Sequence, residues 1–167
     1  MAQGIVVGGS RAPLVRIDGN LVQGAIEGIH VGLQAAGQSG LVVGQAVIAG
    51  NTVGLIVPFF WTRQRHAYYV GNVASLTMTD NHARLARIDS QDGTPVDAVR
   101  VWGDLGNWVE VRGMNLTGPF RIGVLIRDTG LGGSKGRSLR YLSDVLNADG
   151  SVALDVPADF QHDRCLP

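Results

Sequence analysis

A glycine-rich segment in the second half of the sequence comes nearest to a phosphate-binding loop. It runs from Gly130 to Gly136 and reads Gly-Leu-Gly-Gly-Ser-Lys-Gly. A P-loop requires Gly-Lys-Ser/Thr after four spacer residues and a helix directly behind, because backbone N–H groups and the lysine must converge on the phosphates. Ser134 precedes Lys135 here, so the pattern predicts a surface loop that is available to a neighbouring subunit.

Histidines are the next candidates, either as metal ligands or for acid–base work. Ligating groups normally recur at spacings that bring two of them to one face of an element, beside a carboxylate. No such spacing relates the histidines of this chain, so the sequence predicts polar, partly exposed histidines and no metal site. They are His30, His66, His82 and His162.

Nucleophilic serine or cysteine chemistry lacks its usual sequence context. Gly-x-Ser-x-Gly places a hydrolase serine on a sharp turn, but Gln38-Ser39-Gly40 follows Gly37 directly and Gly8-Gly9-Ser10 has no trailing glycine. Cys165 is the only cysteine, which excludes an intramolecular disulfide and a cysteine-based metal framework. We therefore predict no catalytic residue, no metal and no cofactor.

Paired carboxylates are the one catalytic alternative that the sequence leaves open, because such pairs are assembled in space and not by spacing. The sequence offers few glutamates for such a pair, since Glu27 and Glu110 are the only ones. An enzyme of this kind would use aspartates such as Asp80 and Asp104.

Aromatic residues are concentrated between residues 57 and 69, interleaved with arginines. Three interpretations remain open: packing in the core, a protein interface, and a sugar-stacking platform formed by Trp61, Tyr68 and Tyr69. The arginines fit the rim of an interface better than a core. The candidate interface residues are Val57, Phe59, Phe60, Trp61, Arg63, Arg65, Tyr68 and Tyr69.

Charge is distributed very unevenly along the chain. Residues 1–54 hold twelve of the 24 glycines but only Arg11, Arg16, Asp18 and Glu27 of the ionisable acidic and basic residues. Folded domains normally place charge on surfaces that meet water. A stretch with so few charged residues is therefore expected to lie in a core or against another subunit. We expect it to need cover beyond its own fold, which favours assembly over catalysis.

The elements that would carry these residues are predicted to be strands. Short β-branched apolar runs alternate with Gly, Asn and Asp, which is typical of strands. Asp18-Gly19-Asn20 predicts a hairpin turn. Ser138 to Asn147 fits one short helix or, as we prefer, a strand that enters a hairpin. The predicted fold is all-β, a β-sandwich or jelly roll, with a glycine-rich assembly region at 1–70 and a sandwich region at 71–167, or one continuous domain.

Composition excludes several classes of partner. The formal net charge is zero, with 14 basic and 14 acidic residues, which argues against nucleic-acid binding. No apolar run reaches the length of a membrane span, and the first residues lack the pattern of a signal peptide. We expect a protein made in the cytoplasm, without a membrane or nucleic-acid partner.

Two resemblances bear on function. From Val99 to Phe160 the order of features resembles immunoglobulin-like IPT/TIG modules. The resemblance rests on two segments: Trp108 to Leu116, which contains a Gly-Met-Asn-Leu turn, and Val152 to Ala158, which contains the dipeptide Val-Pro. That resemblance implies an interaction module without catalysis and supplies no site residues. The whole chain is similar in style to small virion structural proteins of tailed phages, namely capsid decoration proteins and tail-tube subunits.

These observations together predict a non-enzymatic virion protein. We expect a capsid decoration subunit that forms homo-oligomers and contacts other structural proteins, such as major capsid or tail proteins. A tail-tube subunit is a further possibility. The alternative from another class is a carbohydrate-binding, fibre or adhesin module, for which a glycan would be the ligand.

Overall fold

The structure, a computed structural model, describes residues 3–34, 36, 40–56, 65–86, 96–120, 122–128 and 140–143. These residues form strands and contain no helix. The strands are β1 (Gln3–Gly8), β2 (Ala12–Asp18), β3 (Leu21–Ala25), β4 (Glu27–Leu33), β5 (Val43–Ala49), β6 (Thr52–Ile56), β7 (Arg65–Val70), β8 (Val73–Thr79), β9 (His82–Ala86), β10 (Val96–Gly103), β11 (Leu105–Arg112), β12 (Asn115–Thr117), β13 (Ile122–Asp128) and β14 (Arg140–Ser143).

The strands belong to three sheets that the chain visits in turn. Sheet A contains β1, β4, β7, β10 and β13, sheet B contains β2, β5, β8, β11 and β14, and sheet C contains β3, β6, β9 and β12. All pairings among the described strands are parallel. Each passage through sheets A, B and C is one coil, stacked on the coil before it. This is a three-sided parallel β-helix, with β1–β3 as its first coil and β4–β6 as its second.

The core lies inside the coils, where inward-facing side chains of successive coils stack in rows. Ile29, Tyr68, Val99 and Val124 occupy successive positions of one row in sheet A, and all four are fully buried. Along each strand the apolar residues alternate with outward-facing ones, as the pleat requires. Each inward side chain of an interior coil therefore contacts its counterparts in the coils on either side, and burial of these rows stabilises the stack at about 25 cal/mol per Å² of apolar surface.

The corner between sheets B and C is set by one residue of positive φ in each of the first four coils. Gly19, Gly50, Asp80 and Gly113 have φ between 54° and 65°. Glycine adopts this conformation without steric cost, and aspartate is among the residues that tolerate it best. The predicted turn at Asp18-Gly19-Asn20 is thus a real turn, but the predicted hairpin is wrong. The strands on its two sides belong to different sheets and pair with strands one coil away.

An asparagine ladder follows this corner. Asn20, Asn51 and Asn81 directly follow the positive-φ residues of three successive coils. The backbone N–H of Asn20 donates to Asn51 Oδ1 at 2.9 Å, and that of Asn51 donates to Asn81 Oδ1 at 3.0 Å. The amide group of Asn51 also donates to the carbonyl of Ile17, one coil back, at 2.8 Å. The ladder pairs backbone groups at the corner that no strand pairing would satisfy.

The expectation of an all-β chain is confirmed, whereas the parallel pairing differs from the antiparallel pairing of a sandwich or jelly roll. Alternation of apolar and polar residues indicates a half-buried strand, but it does not indicate whether the neighbouring strand runs parallel or antiparallel to it. The connection from β10 to β11, at Asp104, likewise leads from sheet A to sheet B and does not return the chain along β10. Within 138–147, residues 140–143 form strand β14, parallel to β11, and the expected hairpin lies outside the described residues.

Each of the three sheets contains strands from both of the regions expected from the sequence, 1–70 and 71–167. Sheet A, for example, runs from β1 through β7 to β13. The Trp108–Leu116 segment that resembles an immunoglobulin-like module spans β11 and the B–C corner of the fourth coil, and β11 pairs with β8 and β14. The glycine-rich segment at 130–136 lies outside the described residues.

Candidate functional site

The N-terminal end of the β-helix, formed by β1, β2 and β3, is the candidate functional site. Each of these strands lies at the edge of its sheet and has a neighbour on one side only within the described part of the chain. Outward apolar side chains surround this end, with exposed fractions of 44% for Val6, 53% for Leu14 and 65% for Leu21. Edge strands with exposed apolar residues are surfaces that other chains can cover.

The inward side chains of this coil are also incompletely covered. Ile5 and Val7 are partly buried, whereas Ile29 and Val31, their neighbours in the second coil, are fully buried. The difference arises because a coil lies on one side of the first row and not on the other. Within the described part of the chain, this end of the stack therefore leaves part of the apolar interior without a covering coil.

Few charges interrupt this surface, and most of them are paired locally. Arg16 forms an ion pair with Asp18, and Gln3 donates to the Glu27 carboxylate at 2.8 Å. The charge-poor stretch at 1–54 thus has two parts. Its second coil is enclosed by coils on both sides, and its first coil forms the open end.

The candidate interface residues from the sequence fall in different places. Arg65 and Tyr68 are fully buried, and Tyr69 is half-buried. The Tyr68 hydroxyl crosses the interior to donate toward the carbonyls of Asn51 and His82, at 3.0 and 2.9 Å. Both side chains are therefore absent from the exposed surface of the described residues, and their part in an interface stays a prediction. Val57, Phe59, Phe60, Trp61 and Arg63 lie outside the described residues.

The aspartates considered for an enzyme are not brought together. Asp80 occupies the corner between sheets B and C, where its N–H donates to the Arg112 carbonyl. Asp104 occupies the corner between sheets A and B, where its N–H donates to Asn72 Oδ1 at 3.0 Å. The two residues therefore lie at different corners of the β-helix and do not form a carboxylate pair.

A second cluster, which sequence reasoning missed, lies on the outer face of sheet A. His30 stands between inward-facing Ile29 and Val31, and Tyr69 occupies the neighbouring position on β7. The His30 ring centroid lies 5.5 Å from that of Tyr69 and 6.3 Å from that of His66. Although the group faces outward, His30 is only 6% exposed. Two neighbouring strands, β4 and β7, contribute to it, and no spacing along the chain predicts that contact.

Charged groups border these rings. His66 Nδ1 lies 4.0 Å from Asp97 Oδ2, and Arg100 Nη1 lies 3.9 Å from the same oxygen. The Arg100 guanidinium also stacks 4.0 Å from the Trp102 ring centroid. Burial lowers the pKa of His30, and the Glu27 carboxylate opposes that shift in part. Burial likewise raises the pKa of Tyr69, with Arg100 opposing.

We expect stability to depend on pH through His30. Because its pKa is lowered in the fold, the neutral ring favours folding above the ordinary histidine pKa, and that contribution is lost as pH falls through the lowered value. Urea denaturation at pH 7 and pH 5 should show a larger loss of unfolding free energy for the native chain than for His30→Phe. Equal losses in the two proteins would contradict this assignment.

Among the residues that the structure describes, no group of three or more His, Cys, Asp or Glu side chains is placed to hold a metal ion. The same residues include no helix long and apolar enough to cross a membrane.

Comparison with known proteins does not assign a family. No protein-family model matches the chain, and no curated protein or solved structure matches it at a significant level. The function must therefore be argued from the surfaces described above.

Proposed function

We propose that this chain is a non-enzymatic structural protein that assembles through the N-terminal end of its β-helix. One observation carries the proposal: the first coil combines open strand edges with three outward apolar side chains and an incompletely covered interior. Covering such a surface removes apolar area from water and pairs edge groups. Of the charged residues in this coil, Arg16 and Asp18 already pair with each other.

The setting that best fits this arrangement is a virion. We propose a capsid decoration subunit, made in the host cytoplasm, that contacts copies of itself and other structural proteins such as major capsid or tail proteins. A stack of short strands with exposed apolar side chains at one end suits a lattice in which many identical contacts repeat. The style of the sequence, similar to small structural proteins of tailed phages, supports the same setting.

Lysine substitutions at the N-terminal end test the assembly. The triple variant Val6→Lys, Leu14→Lys and Leu21→Lys should weaken self-association at least about tenfold, which corresponds to roughly 1.4 kcal/mol. The reason is that each lysine would have to be desolvated in the contact. Light scattering during size-exclusion chromatography, over a range of protein concentrations, measures the effect.

The matched control is Ile56→Lys, at an outward apolar position of the second coil that is 38% exposed. It should leave association unchanged, and neither variant should alter the thermal unfolding midpoint strongly, because all four side chains face solvent. A native chain that stays monomeric at every concentration, or an Ile56→Lys effect as large as that of the triple variant, would refute assembly through this end.

A further inference from the structure

The outer face of sheet B presents side chains in three outward rows, each with one residue from β2, β5, β8 and β11. The parallel pairing of these strands keeps the rows in register across four coils. All of the side chains in the rows are exposed or partly exposed. The first row is Leu14, Gln45, Ser75 and Trp108, the second is Arg16, Val47, Thr77 and Glu110, and the third is Asp18, Ala49, Thr79 and Arg112.

Charge in these rows is confined to the two outer strands, and its sign is reversed between them. Arg16 forms an ion pair with Asp18 on β2, and Arg112 Nη1 lies 3.6 Å from Glu110 Oε1 on β11. The second row therefore has its cation on β2 and its anion on β11. The third row has the opposite arrangement, and β5 and β8 contribute only uncharged residues between the two ion pairs.

This reversal makes the face complementary to itself. A two-fold axis that runs parallel to the strands, midway between β5 and β8, lays β2 of one copy over β11 of a second copy and leaves every residue in its row. Arg16 of each copy then faces Glu110 of the other. Asp18 likewise faces Arg112, so that each local ion pair becomes part of a network of four charges, which stabilises more than an isolated surface pair.

The other two-fold arrangement of two such faces is unfavourable. An axis at right angles to the strands, along the second row, would lay each strand over its own counterpart. Arg16 would then face Arg16 and Glu110 would face Glu110, and like charges in direct opposition weaken a contact. The parallel axis also lays exposed Leu14 over Trp108 of the other copy, which removes apolar surface from water.

We propose that the outer face of sheet B binds a second copy of this chain about a two-fold axis parallel to its strands. The proposal goes beyond assembly through the N-terminal end, because it uses a different face and a partner of known chemistry. Two sheets that pack face to face keep their strands within about 30° of each other. The parallel arrangement of the two copies satisfies that rule.

The area of the contact predicts a weak dimer. Strands β2, β5 and β8 are seven residues long, and four neighbouring strands of that length cover roughly 450 Å² of each copy. The two copies together would bury about 900 Å², which is below the usual range of stable complexes. We therefore expect the dimer to form at high protein concentration.

Reversal of one ion pair at a time provides the test. Arg16→Asp with Asp18→Arg retains the local ion pair and the net charge, but it places like charges opposite each other in both halves of the dimer. Glu110→Arg with Arg112→Glu does the same from β11. Each double variant alone should associate at least about tenfold more weakly than the native chain, measured by sedimentation equilibrium at about 10 μM to 1 mM.

An equal mixture of the two double variants is the decisive sample. One chain of each kind restores opposite charges at every facing position, so the mixture should associate as strongly as the native chain. With one variant isotope-labelled, native mass spectrometry should show dimers that contain one labelled and one unlabelled chain. Far-UV circular dichroism checks that both variants keep the native fold, as expected because all four substituted side chains are on the surface.

The control is Val6→Lys with Leu21→Lys, which changes the N-terminal end in sheets A and C and leaves sheet B native. It should retain this dimer even where it weakens other contacts between copies. Folded double variants that associate as the native chain does, or a mixture that associates as weakly as its components, would overturn the proposal. A native chain that stays monomeric at about 1 mM, or loss of the dimer in the control, would also overturn it.

Discussion

Asn51→Ala should lower the free energy of unfolding by about 3–5 kcal/mol, an effect at the upper end of what single substitutions cause. Asn51 is fully buried. Its side chain accepts from the Asn20 backbone N–H and donates to the carbonyls of Ile17 and Ala49. Alanine would leave these backbone groups at the corner without partners, and an unsatisfied buried polar group costs about 1–3 kcal/mol.

The ladder itself provides the control. Asn20→Ala removes an asparagine that is half-buried and lies at the end of the ladder, so it should cost about 1 kcal/mol. Urea denaturation followed by far-UV circular dichroism measures both free energies, and the slopes should stay equal if the fold is retained. Similar losses at the two positions would mean that the ladder does not stabilise the corner as described.

The strands could be predicted from the sequence because the pleat imposes alternation whatever the neighbouring strand. Val15 and Ile17 are buried and Leu14 and Arg16 are exposed, as the pattern indicates. The direction of pairing could not be read from this alternation. The missed signal is the recurrence of a positive-φ residue followed by asparagine, at Gly19-Asn20, Gly50-Asn51 and Asp80-Asn81. A repeat of that spacing indicates coils and not hairpins.

The candidate site was predictable in part. The shortage of charge across residues 1–54 pointed to a covered surface. Neighbouring coils enclose the second coil of that stretch, whereas cover for its first coil stays a prediction. Tyr68 was beyond sequence reasoning, because aromatic residues suit cores and interfaces equally. Its place became clear only from its row, between Ile29 and Val99, and from its hydroxyl, which donates toward the Asn51 carbonyl across the interior.

Gly28→Ala should destabilise the protein by about 3 kcal/mol or more, by overpacking the entrance to β4. Only Ile26 separates β3 from β4, so the corner between sheets C and A is very short here. A Cβ atom at residue 28 would overlap the backbone carbonyl of Ala67 and would lie 2.6 Å from Val53 Cγ1. Backbone in an interior strand cannot yield without disturbing the pairing of β4 with β7, so the cost is not relieved by a change of rotamer.

Gly54→Ala is the matched comparison, because residue 54 also lies within a strand and also lacks a positive φ. A Cβ there would meet nothing closer than 3.8 Å. Alanine restricts the unfolded chain more than glycine does, so this variant should be neutral or more stable by up to about 1 kcal/mol. Opposite signs for the two variants in urea denaturation would establish that close approach of neighbouring coils, and not strand propensity, requires glycine at residue 28. A Gly28→Ala protein as stable as Gly54→Ala would show that the coils at this corner are farther apart than described.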